Sequence, residues 1–409
     1  MLYLKLAWRN IWRNKRRTFI TMLSVIVAVI LSSVMRTMNE GSYEQMIENT
    51  VGIFTGYAQI HQKGYWDDKT LEYSLVSEDS LFNIIDQTSG ITEAVPRIES
   101  YALVAGERQS RAAMVIGIDP EKERSLSDPE SRIISGSYFE SLNEQSVLVG
   151  TDLMQRLELQ VGDSLVMIGQ GFRGQSAAGL YEVRGAVRFP NPDLNKSLVM
   201  MPLETAQYFL AAPDRLTGIS LILEDSDDAA QIVKSLSGKL SSEEYEVMDW
   251  KELMPELVQA IESDRGSGFI IIMILYVVVG FGILGTVLMM ITERTYEFGV
   301  MISVGTPRIA IAIILAFEVF LVAMVGSLTG IAVSFPISYY FHVNPIRLSS
   351  SGDLAEVIET FGMEPVLKFS LEPSLFYSQA IIIFVITLVF CLYPILKASR
   401  LNPVKAMRS

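Results

Sequence analysis

The chain has 409 residues, half of them apolar, and a formal net charge of −13. That is too apolar for an ordinary soluble enzyme and too charged for a protein buried wholly in lipid, so membrane spans joined to a soluble domain fit best. The acidic balance argues against nucleic acid as a partner.

In chain order, residues 2–13 mix aromatics and cations, and Leu4, Trp8, Ile11 and Trp12 share a side at helical spacing. This predicts an amphipathic helix at the inner membrane surface within an N-terminal segment 1–17; a plain basic stop signal is the alternative. Residues 18–35 carry no charge, and about 20 helical residues cross a hydrocarbon core of about 30 Å, so a first span is expected over 18–38. Arg36, Thr37, Met38 and Asn39 follow it. No small-x-small cleavage site is present, and a retained span is expected rather than a cleaved leader.

Residues 39–266 are expected to form one large outer domain, with stalk helices at 39–49 and 250–265. Strands are predicted at 56–61, 112–118, 146–149, 163–168, 181–187, 197–201, 218–223 and 245–249, and helices at 152–157, 204–210 and 227–240. The mixture points to an α+β domain. Gly169, Gly171 and Gly174 have dinucleotide-binding spacing, but another strand follows instead of a helix, so a glycine-rich hairpin tip is expected. Cys391 is the single cysteine and falls in an apolar run; His61 and His342 are remote from each other. No zinc-type spacing, phosphate-binding loop or nucleophile–base constellation appears. Neither a cofactor nor a metal is expected, and the chain is not read as an enzyme.

Three more spans are predicted at 267–292, 309–341 and 374–396, with Pro336 kinking or ending the third. Glu318 is the lone carboxylate in that third run; it either sits at a subunit interface or snorkels toward the inner surface. Residues 1–38 hold 7 Lys/Arg and no acid, whereas 39–266 hold 18 Lys/Arg against 38 Asp/Glu. Cations near span ends stay on the cytoplasmic side. Both termini, including a tail at 397–409, are therefore expected to be cytoplasmic, with the 342–373 loop outside and only 293–308 inside. The predicted fold class is a membrane protein of four transmembrane helices with a large α+β extracytoplasmic (periplasmic) domain between helices 1 and 2.

In the internal loop, Glu293 and Glu297 are four apart on one helical face, and Phe298, Met301 and Ile302 present an apolar face. Gly305 can end the helix and Pro307 prevents its continuation. Such a helix either lies on the membrane or docks into a groove on a cytoplasmic partner.

This loop resembles the coupling segment of the FtsX-like and MacB-like ABC transporter permeases, with Glu293, Arg294, Glu297, Gly299 and Gly305 in the family's places. The C-terminal run matches the family's tail at Pro394, Ala398, Pro403, Ala406 and Arg408, and departs conservatively at Ile395 and Met407. The opening from Trp8 to Thr18 also matches, so the resemblance covers all four spans. The outer parts look most similar to lipoprotein-releasing permeases of the LolC/LolE type, through the stretch from Gln59 to Tyr65, the hairpin from Val161, the stretch from Trp250 and the Phe361-Gly-Met363 element.

The resemblance implies a permease subunit of the bacterial inner membrane that transmits ATP-driven motion to a periplasmic domain, without passing substrate through a pore. It implies a separate cytoplasmic ABC ATPase dimer, a second permease chain (identical or different), surrounding membrane lipids, a lipid-anchored protein substrate and a periplasmic carrier. Coupling to the ATPase is assigned to Glu293, Arg294, Glu297, Phe298, Gly299, Met301 and Gly305. Substrate contact is placed near Met35 and Phe269. Peptide or drug export of the MacB kind, and FtsX-like regulation of a cell-wall hydrolase, are the alternatives.

Overall fold

The computed structural model describes residues 2–13, 15–347 and 366–400. The Phe361-Gly-Met363 element, Asn14 and the tail residues from 401 onward lie outside the described residues. The chain divides into two compact units: the described parts of 1–44, 261–347 and 366–409, and residues 45–260.

The first unit is helical. It contains α1 (Leu2–Arg13), α2 (Lys15–Ile47), α7 (Pro255–Glu293), α8 (Thr295–Ser303), α9 (Arg308–Val343) and α10 (Pro373–Ser399). Among the described residues, four helices are long and apolar enough to cross a membrane, and they contain the four charge-poor runs. Three are much longer than a span needs: α2 with 33 residues, α7 with 39 and α9 with 36. The first stalk is the same helix as the first span, and α7 runs unbroken for 39 residues, about 58 Å at 1.5 Å per residue. Pro336 does not end its helix; α9 continues through it to Val343. Proline removes one backbone donor, whereas ending the helix inside an apolar layer would strand several unpaired groups.

These helices pack through Val25, Ala28, Val29, Val287, Ile311, Leu315, Ile383 and Cys391. Close approach of α2 and α9 depends on Gly326 and Gly330, where a Cβ would collide with Val25 and Val29. Thr37 and Ser338 add a hydroxyl–hydroxyl bond of 3.0 Å between the same two helices.

The second unit is α+β. One sheet contains ten strands: β1 (Ala58–Gln62), β2 (Ile91–Ala105), β3 (Ser110–Ile118), β4 (Ile133–Gly136), β5 (Ser146–Gly150), β6 (Ser164–Gln170), β7 (Ser176–Val187), β8 (Leu198–Pro202), β9 (Gly218–Leu223) and β10 (Tyr245–Asp249). Their order is β10-β1-β9-β2-β3-β8-β5-β7-β4, with β6 pairing both β2 and β7. Helices α3 (Asp79–Asp86), α4 (Thr151–Arg156), α5 (Leu203–Phe209) and α6 (Ala229–Ser237) join them. The largest core combines Ile98, Val104, Val115, Val147, Leu165, Tyr181 and Met201. The three spaced glycines form the tip of the β6–β7 hairpin, where Gln170 pairs with Ser176.

The longest strand, β2, escaped the sequence reading. Glu93, Pro96, Arg97 and Glu99 interrupt its apolar pattern, which reads as a loop. Burial of Arg97 resolves the conflict: its guanidinium forms a two-point pair with Glu123, with Nε donating to Oε2 at 3.1 Å. Glu123 is further bonded by the Ser127 hydroxyl. A charge can occupy a central strand when its partner is buried with it.

Candidate coupling site

The residues between α7 and α9 form a compact helix with two distinct ends. Arg294 is the N-cap of α8 and offers no side-chain cap. Its guanidinium turns into the bundle instead. At the other end Gly305 has φ +105°; the Gly305 N–H donates to Ile302 O at 3.0 Å and Thr306 N–H to Met301 O at 3.0 Å. This is the pair of reversed bonds that closes a helix through a left-handed glycine. Pro307 then starts α9 as its N-cap.

Three ion pairs hold α8 in place. Arg294 Nη1 donates to Glu318 Oε2 at 2.8 Å, and both side chains are nearly inaccessible. Asn10 Nδ2 of α1 donates to Glu318 Oε1 at 2.6 Å. Arg294 Nε reaches Glu297 Oε2 at 3.5 Å, and Arg13 of α1 pairs with the other oxygen of Glu297. The result is a polar chain, Asn10–Glu318–Arg294–Glu297–Arg13, running from buried to exposed. Three elements, α1, α8 and α9, meet there. The Arg294 guanidinium also lies 5.1 Å from the centre of the Phe298 ring.

The expected apolar face of α8 points inward. Phe298 is 2% exposed and packs with Ile291, Ile311, Leu315 and Ala398, with Met301 and Ile302 against the same cluster. Gly299 is buried beside it. A different stripe faces out: Tyr296, Val300 and Val304, each four residues from the last, are 58%, 37% and 83% exposed. Glu293, expected on one helical face with Glu297, is instead the exposed last residue of α7, because the helix breaks at Arg294; Glu297 is half-buried on α8. The seven residues assigned to coupling are thus brought together but play different structural parts. Arg294, Phe298, Gly299 and Met301 fasten the helix, Gly305 closes it, and Glu293 and Glu297 stand at its accessible edge.

Met35 and Phe269 lie apart from this site. Met35 is half-buried in α2 and Phe269 is exposed on α7, 24 residues before Glu293, or about 36 Å along the helix. The residues that sequence reasoning missed are Asn10, Arg13 and Glu318. Only Glu318 carried a signal, as an isolated carboxylate in an apolar run; nothing in the chain names its partner. Among the described residues, no group of three or more His, Cys, Asp and Glu side chains is placed to hold a metal ion.

Residues 18–239 match the family described as the MacB-like periplasmic core domain, and residues 269–403 match the FtsX-like permease C-terminal family. The lipoprotein-releasing system transmembrane protein LolC of Neisseria meningitidis serogroup B is 22% identical over 331 residues, covering 78% of this chain and 77% of LolC. The macrolide export ATP-binding/permease protein MacB of Aggregatibacter actinomycetemcomitans is 23% identical over 334 residues, covering 78% of this chain but 50% of MacB. The crystal structure of the periplasmic region of MacB from Actinobacillus actinomycetemcomitans aligns with 52% of this chain and 94% of that one, at 16% identity and a TM-score of 0.35. A MacB-like core domain inserted between the first two of four apolar helices, followed by an FtsX-like C-terminal region, shows that the chain belongs to the MacB-like and FtsX-like family of ABC transporter permeases.

Proposed function

We propose that this chain is the membrane subunit through which a separate cytoplasmic ATPase dimer drives shape changes in the outer domain, and that the work releases lipid-anchored proteins from the bacterial inner membrane. The observation that carries the reading is the outward stripe of α8, Tyr296, Val300 and Val304, bordered by Glu293 and Glu297. It is a small apolar strip with an acidic edge, fastened from behind by buried contacts, and it suits a groove on a partner. The ATPase holds this strip in each of two permease chains, identical or different. Its closure on ATP moves α8 as a rigid piece, because Arg294 and Phe298 leave it no slack. The motion passes along α7 and α2, which are single helices at both ends of the inserted domain.

The basic N-terminal segment supports cytoplasmic termini and a periplasmic placement of residues 39–266. The likeness to LolC over 78% of this chain and 77% of LolC supports the release reading, and the likeness to MacB at the same identity supports export as the second reading. Release would hand the acylated protein to a soluble periplasmic carrier. Acyl chains leave a bilayer at a cost of about 0.8 kcal/mol per methylene, which explains the need for an ATPase.

Val304→Asp places a charge at the C-terminal end of the strip without touching the core. Loss of a buried apolar contact of this size is expected to weaken ATPase association by at least about tenfold, with thermal stability unchanged. Co-purification from detergent or nanodiscs measures it. Full association in Val304→Asp and in Glu297→Lys would remove the docking role.

A further inference from the structure

The N-terminal helix α1 has two apolar edges in different company. Ala7 and Ile11 are buried against Ile314, Leu321 and Val322 of α9. Trp8 and Trp12, whose rings meet edge-on at 5.9 Å, remain 49% and 55% exposed. Exposed Lys5, Arg9, Arg13, Lys15 and Arg16 surround them, and residues 1–38 contain no acid. An indole pair flanked by these cations, of which Arg13 is already paired with Glu297 of α8, matches the headgroup layer of an anionic leaflet at the root of a membrane span. Trp rings settle at that depth, and each Lys or Arg near the surface gains from anionic lipid. Charge complementarity and direct continuity with α2 favour lipid over a second protein as the cover of this edge.

The same helix supplies both outer members of the polar chain: Asn10 bonds Glu318 at 2.6 Å and Arg13 pairs with Glu297 on α8. We propose that α1 is a lipid-responsive arm of the coupling site. Anionic headgroups seat its Trp8–Trp12 edge, and Asn10 and Arg13 pass that seating to Glu318 and Glu297, so the leaflet sets how firmly α8 is held. The meaning of a firmer α8 rests on the coupling function above; the lipid contact and its transmission to α8 do not.

Two readouts on the full chain alone, in nanodiscs, test this without any ATPase. In a Trp66→Phe, Trp250→Phe background with a tryptophan-free scaffold and excitation at the red edge of the indole band, the emission comes from Trp8 and Trp12. Phosphatidylglycerol with brominated chains should quench them at a lipid fraction several-fold lower than brominated phosphatidylcholine. Replacing Arg9, Lys15 and Arg16 by Gln together should abolish the preference. Amide exchange across residues 295–303 should slow when phosphatidylglycerol replaces phosphatidylcholine. Arg13→Gln should keep most of the quenching preference and lose the slowing. Equal quenching by both headgroups overturns the proposal, as does absent quenching with the indoles covered by protein. Headgroup preference with unchanged exchange in α8 also overturns it, because transmission would then be missing. If these results hold and the ATPase still fails to associate, the coupling function fails and the lipid arm stands.

Discussion

Arg294 and Glu318 show how one buried ion pair can set the attitude of a helix. Removing one partner leaves the other charge buried and unpaired, which costs about 3–5 kcal/mol, whereas an apolar pair of similar volume is often neutral. Glu318→Ala should therefore lower the melting temperature of the helical unit markedly, and the double change Arg294→Met with Glu318→Leu should restore most of it. Differential scanning fluorimetry in nanodiscs measures both. If the pair orients α8, the double variant will stay stable and still stimulate its ATPase poorly.

His61 carries a residue-scale prediction for the outer domain. Its Nδ1 lies 2.7 Å from the Thr217 carbonyl, which can only accept, so Nδ1 holds the proton; Nε2 lies 2.8 Å from Gln59 Oε1, also an acceptor, so the neutral ring makes only the first of these two bonds. The ring stacks on Tyr65. Burial pushes its pKa below the ordinary 6.5, with the Thr217 bond and the Glu246 charge opposing. The unfolded chain then binds a proton that the fold resists, so the contribution of His61 to stability is complete above about pH 6.5 and is lost as pH falls below it. Urea unfolding of the domain should show this slope, and His61→Gln should flatten it.

At the scale of elements, the two helices that enter and leave the domain differ in stiffness. α2 passes at Glu48–Thr55 into a π-helical turn that ends at Gly56, where φ is +83°. Such turns often mark functional hinges. Here the turn is pinned: Arg97 Nη1 donates to the Phe54 carbonyl at 2.6 Å and the guanidinium covers the Phe54 ring at 4.9 Å. The hidden strand β2 thus anchors the π-helical turn through the residue that made it unreadable as a strand. α7 has no such turn and is the stiffer rod. Gly266→Pro would interrupt it by removing a hydrogen bond and adding a clash, at about 3 kcal/mol. The expected result is continued ATP hydrolysis by the assembled complex with little release of a lipoprotein substrate, read by comparing phosphate production with release into the soluble fraction.

At the scale of the whole molecule, the division of charge is the main determinant of orientation. Tyr208 on α5 is 82% exposed and Val304 on α8 is 83% exposed, and the native Cys391 is buried. In intact spheroplasts an impermeant maleimide should label Tyr208→Cys and leave Val304→Cys untouched until the membrane is opened. The reverse pattern would invert the topology and put the coupling strip out of reach of any cytoplasmic ATPase.

The four apolar helices, the insertion between the first two and most strands of the outer domain were legible from the chain, because run length, charge and alternation are local and additive. The α8 helix and its glycine stop were legible for the same reason. Which face of α8 looks outward was not. Phe298, Met301 and Ile302 are the more apolar choice, and the bundle takes them for its own core, leaving Tyr296, Val300 and Val304 outside. Nor could the chain reveal that Glu318 meets Arg294, 24 residues earlier, and Asn10, 308 residues earlier. Sequence determined which runs are long and apolar enough to span a membrane; only the fold decided which charges are buried together, because ion pairing depends on distances that spacing along a chain does not set.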